Sequence, residues 1–143
     1  MPPVLVFVAA VMISASSADV PDAVVMAVLD HESMQPQTGN ISYCLRIGDN
    51  DPSEALLASI RERFPYVVAD SACVVRHGRV SRKSDEAPAI KMTLGSFNQA
   101  RDHHATLVLS SRAGPRSGGR WQFNLVSNNN VWQVESREML VVY

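Results

Sequence analysis

The sequence has little of what usually declares a function. It has no excess charge of either sign: 13 Lys and Arg stand against 14 Asp and Glu, a net charge of -1 over 143 residues. Proteins built to hold polyanions normally carry a large positive excess, so a dedicated polyanion binder is disfavoured. It has only two cysteines and no C-x-x-C pair, which argues against a thiol-redox motif. The glycine-rich stretch around Gly114, Gly118 and Gly119 lacks Gly-Lys-Ser/Thr and is followed by a strand pattern, so it is no phosphate cradle. No apolar run approaches the roughly 20 residues that a membrane helix needs. What remains is an ordinary globular balance, 46% hydrophobic and 19% charged, in a length that suits one domain.

The first feature present is an apolar run of ten residues, 4–13, followed by the small residues Ser14, Ala15, Ser16, Ser17 and Ala18. In outline this is an export signal, with cleavage expected after Ala18 or Ser16. The flank Met1-Pro2-Pro3 lacks Lys and Arg, and the competing reading is a buried N-terminal strand. With residues 1–18 removed, 19–143 form the single expected domain, periplasmic or secreted, with no membrane span after cleavage. No cysteine near the cleavage region invites a lipid anchor. Cys44 and Cys73 are then expected to pair, because an even number of thiols oxidises in such a compartment. Closing that loop of about thirty residues is worth about 3.5 kcal/mol by chain entropy.

Residues 19–34 read as a helix, with Val24, Val25, Val28 and Leu29 on one face, Asp19, Pro21 and Asp22 at the start, and Pro36 and Gly39 beyond the end. Ile41, Tyr43, Leu45 and Ile47 alternate with Ser42, Cys44 and Arg46 as a strand does. After the turn Gly48-Asp49-Asn50, the run Asp51-Pro52-Ser53-Glu54 reads as N-cap, first-turn proline and acidic third position. The helix that follows carries Leu56, Leu57, Ile60 and Phe64 on its buried stripe, and Pro65 stops it. From Tyr66 onward the period is two: Ile90, Met92 and Leu94, then Ala105, Leu107 and Leu109, then Trp121, Phe123 and Leu125, then Trp132 and Val134. Asn128, Asn129 and Asn130 suit a left-handed hairpin turn, residues 112–120 a longer mobile loop, and 139–143 a change of phase such as a bulge. The fold class expected is α+β: a curved antiparallel β-meander packed against one or two helices, with one disulfide.

The run Gly118-Gly119-Arg120-Trp121-Gln122-Phe123, followed by Asn130-Val131-Trp132-Gln133-Val134, resembles the closing strand pair of cystatin-like and nuclear-transport-factor-like folds. The residues Tyr43-Cys44-Leu45, Asp51-Pro52, Leu56-Leu57 and Ser71-Ala72-Cys73 also resemble those of small uncharacterised exported bacterial proteins. The resemblance spans most of residues 41–143 and implies a fold and a compartment. It implies no mechanism.

The densest ionisable cluster is Arg101-Asp102-His103-His104. Neighbours on a strand face opposite ways, so the two histidines share a pocket only if the backbone bends. A metal site would need another His or Cys, and only His31, His77 and the paired cysteines remain, so no metal and no cofactor are expected. The candidate catalytic groups are Asp102, His104 and His31, as base and orienter in a cone between helices and sheet. Leu, Met, Phe and Trp at the inward positions fill that cone, so the residues favour no catalytic centre. Two segments are basic: Arg76 to Lys83, and the loop with Arg112, Arg116 and Arg120. The neighbouring Asp85 and Glu86, and the absence of interleaved aromatics, favour solvated loops over an anionic partner, with no nucleic acid expected. Asn40-Ile41-Ser42 is a glycosylation sequon, relevant only in a eukaryote. Trp121 and Trp132 fall on the core side of the alternation, which leaves no sugar platform.

The expectation is therefore a small exported binding or accessory protein, non-catalytic, with an unknown protein or small ligand as partner. The alternatives are a small-pocket enzyme or ligand carrier of nuclear-transport-factor-like shape, and an inhibitor or immunity-type protein that binds through residues 112–120. Edge strands allow a monomer or a homodimer.

Overall fold

A computed structural model describes residues 20–32 and 41–143. Residues 1–18, where an export signal is expected, Asp19 and residues 33–40, with Pro36, Gly39 and the acceptor Asn40 of the sequon, lie outside the described residues.

Helix α1 (Asp22–His31) begins behind Pro21, whose carbonyl accepts from the N–H groups of Val24 and Val25 at 2.9 and 3.1 Å. Its stripe Val24, Val25, Val28 and Leu29 is wholly buried, as the spacing predicts. Strand β1 (Ser42–Ile47) departs from the alternating picture because both of its faces are covered. Tyr43, Leu45 and Ile47 join the main core, while Cys44 joins a small second cluster with Val80 and Ala89.

Helix α2 (Glu54–Arg63) starts later than its sequence signature suggests. Ser53, not Asp51, is the N-cap, and its hydroxyl accepts from the Leu56 N–H at 3.1 Å. Asp51 is turned instead to a distant partner, described below. Leu56 and Ile60 are buried, and Phe64 closes the end of the helix. Arg63 and Asp30 meet across α2 and α1 in a forked pair at 2.6 and 2.7 Å. Among the described residues, no helix is long and apolar enough to cross a membrane.

The chain then forms β2 (Val67–Ala69), a single 3₁₀ turn (Asp70–Ala72), and the hairpin strands β3 (Cys73–Arg76) and β4 (Arg79–Arg82). Four long strands complete the fold: β5 (Ala89–Arg101), β6 (His104–Gly114), β7 (Ser117–Asn128) and β8 (Val131–Val142). The main sheet has six strands in the order β2-β1-β5-β6-β7-β8, and β3 and β4 form a separate two-stranded sheet. Neighbours from β5 to β8 are antiparallel, as the hairpin signals require. The expectation of a wholly antiparallel sheet is corrected at the other edge, where β1 pairs in parallel with both β2 and β5. For β1 and β2 the cause is connectivity. The chain passes from β1 to β2 through α2, and a strand, helix, strand crossover between neighbours lays its strands parallel.

Two turns show how far local signals reach. Asn129 and Asn130 both take positive φ, 50° and 63°, between the paired residues Asn128 and Val131, the backbone that a tight hairpin demands. The stretch 112–120 is not a long loop: β6 runs to Gly114 and β7 starts at Ser117, leaving only Pro115 and Arg116 between them. Glycine and serine there are strand residues that let backbones approach closely; a Cβ on Gly118 would collide with the Ser111 carbonyl oxygen. The change of phase near the end of the chain is a bulge at Leu140, since Arg120 opposes Val141 and Trp121 opposes Met139.

Helices and sheet meet over Phe123, Leu107, Leu125, Leu94, Leu29 and Val28, all with at most 1% exposure. The interior between α1 and the sheet is filled with side chains. At about 1.5 to 3 kcal/mol for each large aliphatic or aromatic side chain buried, this layer is the main source of stability.

Cys44 and Cys73 are bonded, linking β1 to the start of β3 across 29 positions. A Cys44→Ser/Cys73→Ser variant is expected to be destabilised by about 3.5 kcal/mol in urea unfolding, the chain-entropy value for a loop of this length. A difference below about 1 kcal/mol would show that the bridge constrains little in the unfolded chain.

Candidate functional site

The ionisable cluster of the sequence does not assemble into a site. Asp102 and His103 form the turn between β5 and β6, and His103 has a positive φ of 65°. The backbone does bend there, with Asp102 and His103 in the turn and His104 at the start of the strand. Asp102 and His103 line a shallow depression of about 250 Å³ with Gln99 and Trp132. His104 begins β6, half-buried, in alternation with the buried Ala105, Leu107 and Leu109, so it lies on the face opposite the helices. His31 sits at the end of α1 with its ring edge-on to Phe123 at 5.8 Å, on the helix side. Among the described residues, no hydrogen bond or ion pair joins Asp102 to His31 or His104, and no group of three metal-ligating side chains occurs.

The two basic segments, in contrast, meet. The β3–β4 hairpin turns through His77 and Gly78, at φ 52° and 76°, and its tip rests on the β6–β7 turn. A Cβ on Gly78 would stand 2.9 Å from the Pro115 ring, so only glycine allows that approach. Between them lies a groove of about 820 Å³. Arg76, Arg79, Arg82 and Lys83 line the hairpin side, Ala113, Gly114, Pro115 and Ser117 the opposite wall, with Val74, Val80 and Pro88 as apolar surface and Glu86 as the one carboxylate. A second pocket of about 480 Å³ shares Gly114 and Pro115 and adds Arg112, Lys91, Val75 and Tyr143.

These cations play different parts. Arg82 is structural: its guanidinium forks onto Asp85 and donates to the buried Ser42 hydroxyl at 3.0 Å, which pins β4 to β1. Lys91 pairs with Asp70 at 3.4 Å. Arg76, Arg79, Arg112 and Arg116 are exposed and have no ion-pair partner among the described residues. A planar guanidinium with free donors is suited to carboxylate, sulfate or phosphate oxygens, which it can hold by two hydrogen bonds at once. The arrangement can bind an acidic ligand; it contains no nucleophile paired with a base.

The hairpin that carries Arg76 and Arg79 is held at three points. The disulfide fixes the start of β3, and the Arg82–Asp85 fork fixes the end of β4. Asp51, which helix α2 does not use as its cap, accepts from the Ser71 N–H at 2.9 Å and so fixes the turn before β3. Hydrogen bonds from the Ser71 side chain and then its backbone N–H hold the Asp51 carboxyl below its ordinary range. The Ala87 N–H and then the Arg82 side chain do the same for Asp85.

The sequence showed both basic segments but not their convergence, nor the apolar lining from Val74, Pro88 and Pro115. The only local hint was a glycine, Gly78, inside one segment and a proline, Pro115, inside the other. No family model, no curated protein and no solved structure matches the chain.

Because Asp51 and Asp85 titrate lower in the folded chain than in the unfolded one, each stabilises the fold above the ordinary aspartate range. That contribution disappears as pH falls through the lowered values. In an acid titration followed by amide NMR, the Ser71 and Ala87 signals should move at a pH below that of a peptide aspartate. Midpoints at or above the peptide value would show that these hydrogen bonds do not hold the hairpin.

Proposed function

We propose that this protein is a non-catalytic binding module of an oxidising, extracytoplasmic compartment, and that its groove holds a ligand bearing acidic groups. One observation carries the reading: the β3–β4 hairpin closes on the β6–β7 turn over one groove, where Arg76 and Arg79 have no ion-pair partner among the described residues, with Arg112 in the adjoining pocket. The groove is of the size that small ligands and polymer segments occupy. Val74, Val80 and Pro88 add apolar surface beside the arginines, against which the carbon skeleton of a ligand can pack. Net charge near zero does not oppose this, since a ligand responds to the local field of the cleft.

The compartment is inferred from the apolar segment 4–13 with its small-residue flank, and from the disulfide, which persists where thiols oxidise. The resemblance to cystatin-like folds belongs to the same proposal, supported by four antiparallel strands with helices packed on the sheet. The reading of residues 112–120 as a contact for another protein gains from the fact that part of that segment forms a groove wall. The enzyme reading gains nothing comparable, since Leu29, Leu107 and Phe123 occupy the space its cone would need.

Titration calorimetry with a sulfated dextran, against an uncharged dextran of the same length, tests the proposal. The sulfated polymer should bind, with affinity falling as salt rises, and the uncharged one should not. Arg76→Ala/Arg79→Ala should weaken binding about a hundredfold, at about 1.4 kcal/mol for each charge-assisted hydrogen bond removed. Equal binding of both polymers, or no effect of the double variant, would remove the groove from consideration.

A further inference from the structure

Register sets two of the groove's arginines directly against each other. Arg76 and Arg79 are cross-strand partners in the β3–β4 hairpin, the last pair before the turn through His77 and Gly78. Directly opposite residues leave the same face of a sheet, with Cα atoms about 4.5 to 5.5 Å apart, and like charges so placed repel. Val74 and Ser81 are also partners and, two residues along each strand, share that face. All four line the groove, whereas Val75, on the other face of the hairpin, lines the neighbouring pocket.

The chain offers this pair little relief. Among the described residues no carboxylate forms an ion pair with either guanidinium, and Glu86, the one carboxylate in the groove lining, pairs with neither. Residues 1–19 hold a single acidic side chain, Asp19, and residues 33–40 hold none. One aspartate can match one guanidinium and leaves the other. The hairpin is tied at both ends, by the Cys44–Cys73 bond and by Gly78 against the Pro115 ring, so the two arginines are presented together before any ligand arrives. The Ser81 hydroxyl on their face has no hydrogen-bond partner among the described residues.

We propose that Arg76 and Arg79 form a clamp for one phosphate monoester group; the inference rests on the reading of the groove as a site for an acidic ligand, and it names the group that the ligand carries. Charge selects the dianion. The pair carries two positive charges, a carboxylate or a sulfate ester returns one negative charge, and a phosphate monoester returns about 1.5 to 2 near neutral pH. Geometry agrees with charge. Three terminal oxygens can accept from two planar forks at once, where the two oxygens of a carboxylate are matched by one fork. The Ser81 hydroxyl is a further donor on that face, and Val74 offers apolar surface to the carbon skeleton of the ester.

Amide NMR titration of the chain with methyl phosphate, and with dimethyl phosphate as the singly charged control, tests the clamp. Methyl phosphate should bind about tenfold more tightly, with its shifts centred on residues 74–81. Arg79→Lys keeps the charge and loses the fork, so it should weaken methyl phosphate about tenfold, while Arg112→Lys in the neighbouring pocket leaves it unchanged. If Arg79→Lys does not fold, Arg76→Lys carries the same expectation. Equal binding of the two esters, or equal loss from the variants at 79 and 112, overturns the clamp. Sulfated dextran that still binds in that case leaves the acidic-ligand reading standing, whereas failure of all three probes to bind ends both. Where methyl phosphate binds as expected, co-sedimentation with vesicles of equal parts phosphatidylcholine and phosphatidic acid assigns the group to a lipid headgroup, and its absence assigns it to a soluble ester.

Discussion

The bond between Cys44 and Cys73 joins two parts of very different stability. Cys44 belongs to β1, which is hydrogen-bonded on both sides and buried on both faces. Cys73 begins a hairpin of two four-residue strands with little core of its own beyond Val80, Ala89 and the disulfide itself. An isolated hairpin of that size is marginal in water. Bonded to the interior of the sheet, it becomes a fixed wall, and the groove exists because that wall cannot drift from the β6–β7 turn.

Charge is distributed in keeping with this arrangement. Arg82 and Asp85 neutralise each other at the foot of the hairpin, and Lys91 is matched by Asp70 on the neighbouring edge. Arg63 and Asp30 join the helices. These exposed or half-exposed pairs each contribute little to stability, but they consume the charge that would otherwise compete. Arg76 and Arg79 are left over at the rim, on strands held too firmly to swing towards a distant carboxylate. A protein with a net charge of -1 thus keeps two unmatched guanidinium groups, Arg76 and Arg79, at one groove among the described residues.

The sheet treats its two halves differently. Where β1 and β2 are parallel, both faces are covered, by the helices on one side and the hairpin on the other. Where β5 to β8 are antiparallel, the helix side holds the core and the opposite face, with Thr93, Thr106, Gln122 and Asn124, is half-open to solvent.

Local chemistry made much of this legible. Apolar spacing placed both helices, period-two alternation placed the long strands, and an even pair of cysteines predicted its own bond. Asn129 and Asn130 announced their turn because few other residues accept positive φ. The signals that misled were local ones overruled from a distance: Asp51 has the chemistry of a cap, yet the Ser71 amide claims it and Ser53 takes the helix end. Residues 112–120 have a loop's composition, yet pairing with their neighbours extends both strands through them. Parallel pairing of β1 and the meeting of two basic segments were decided by tertiary structure alone. Each depends on which segments the chain brings together over tens of residues, and side-chain periodicity reports only which face is dry, not what lies against it.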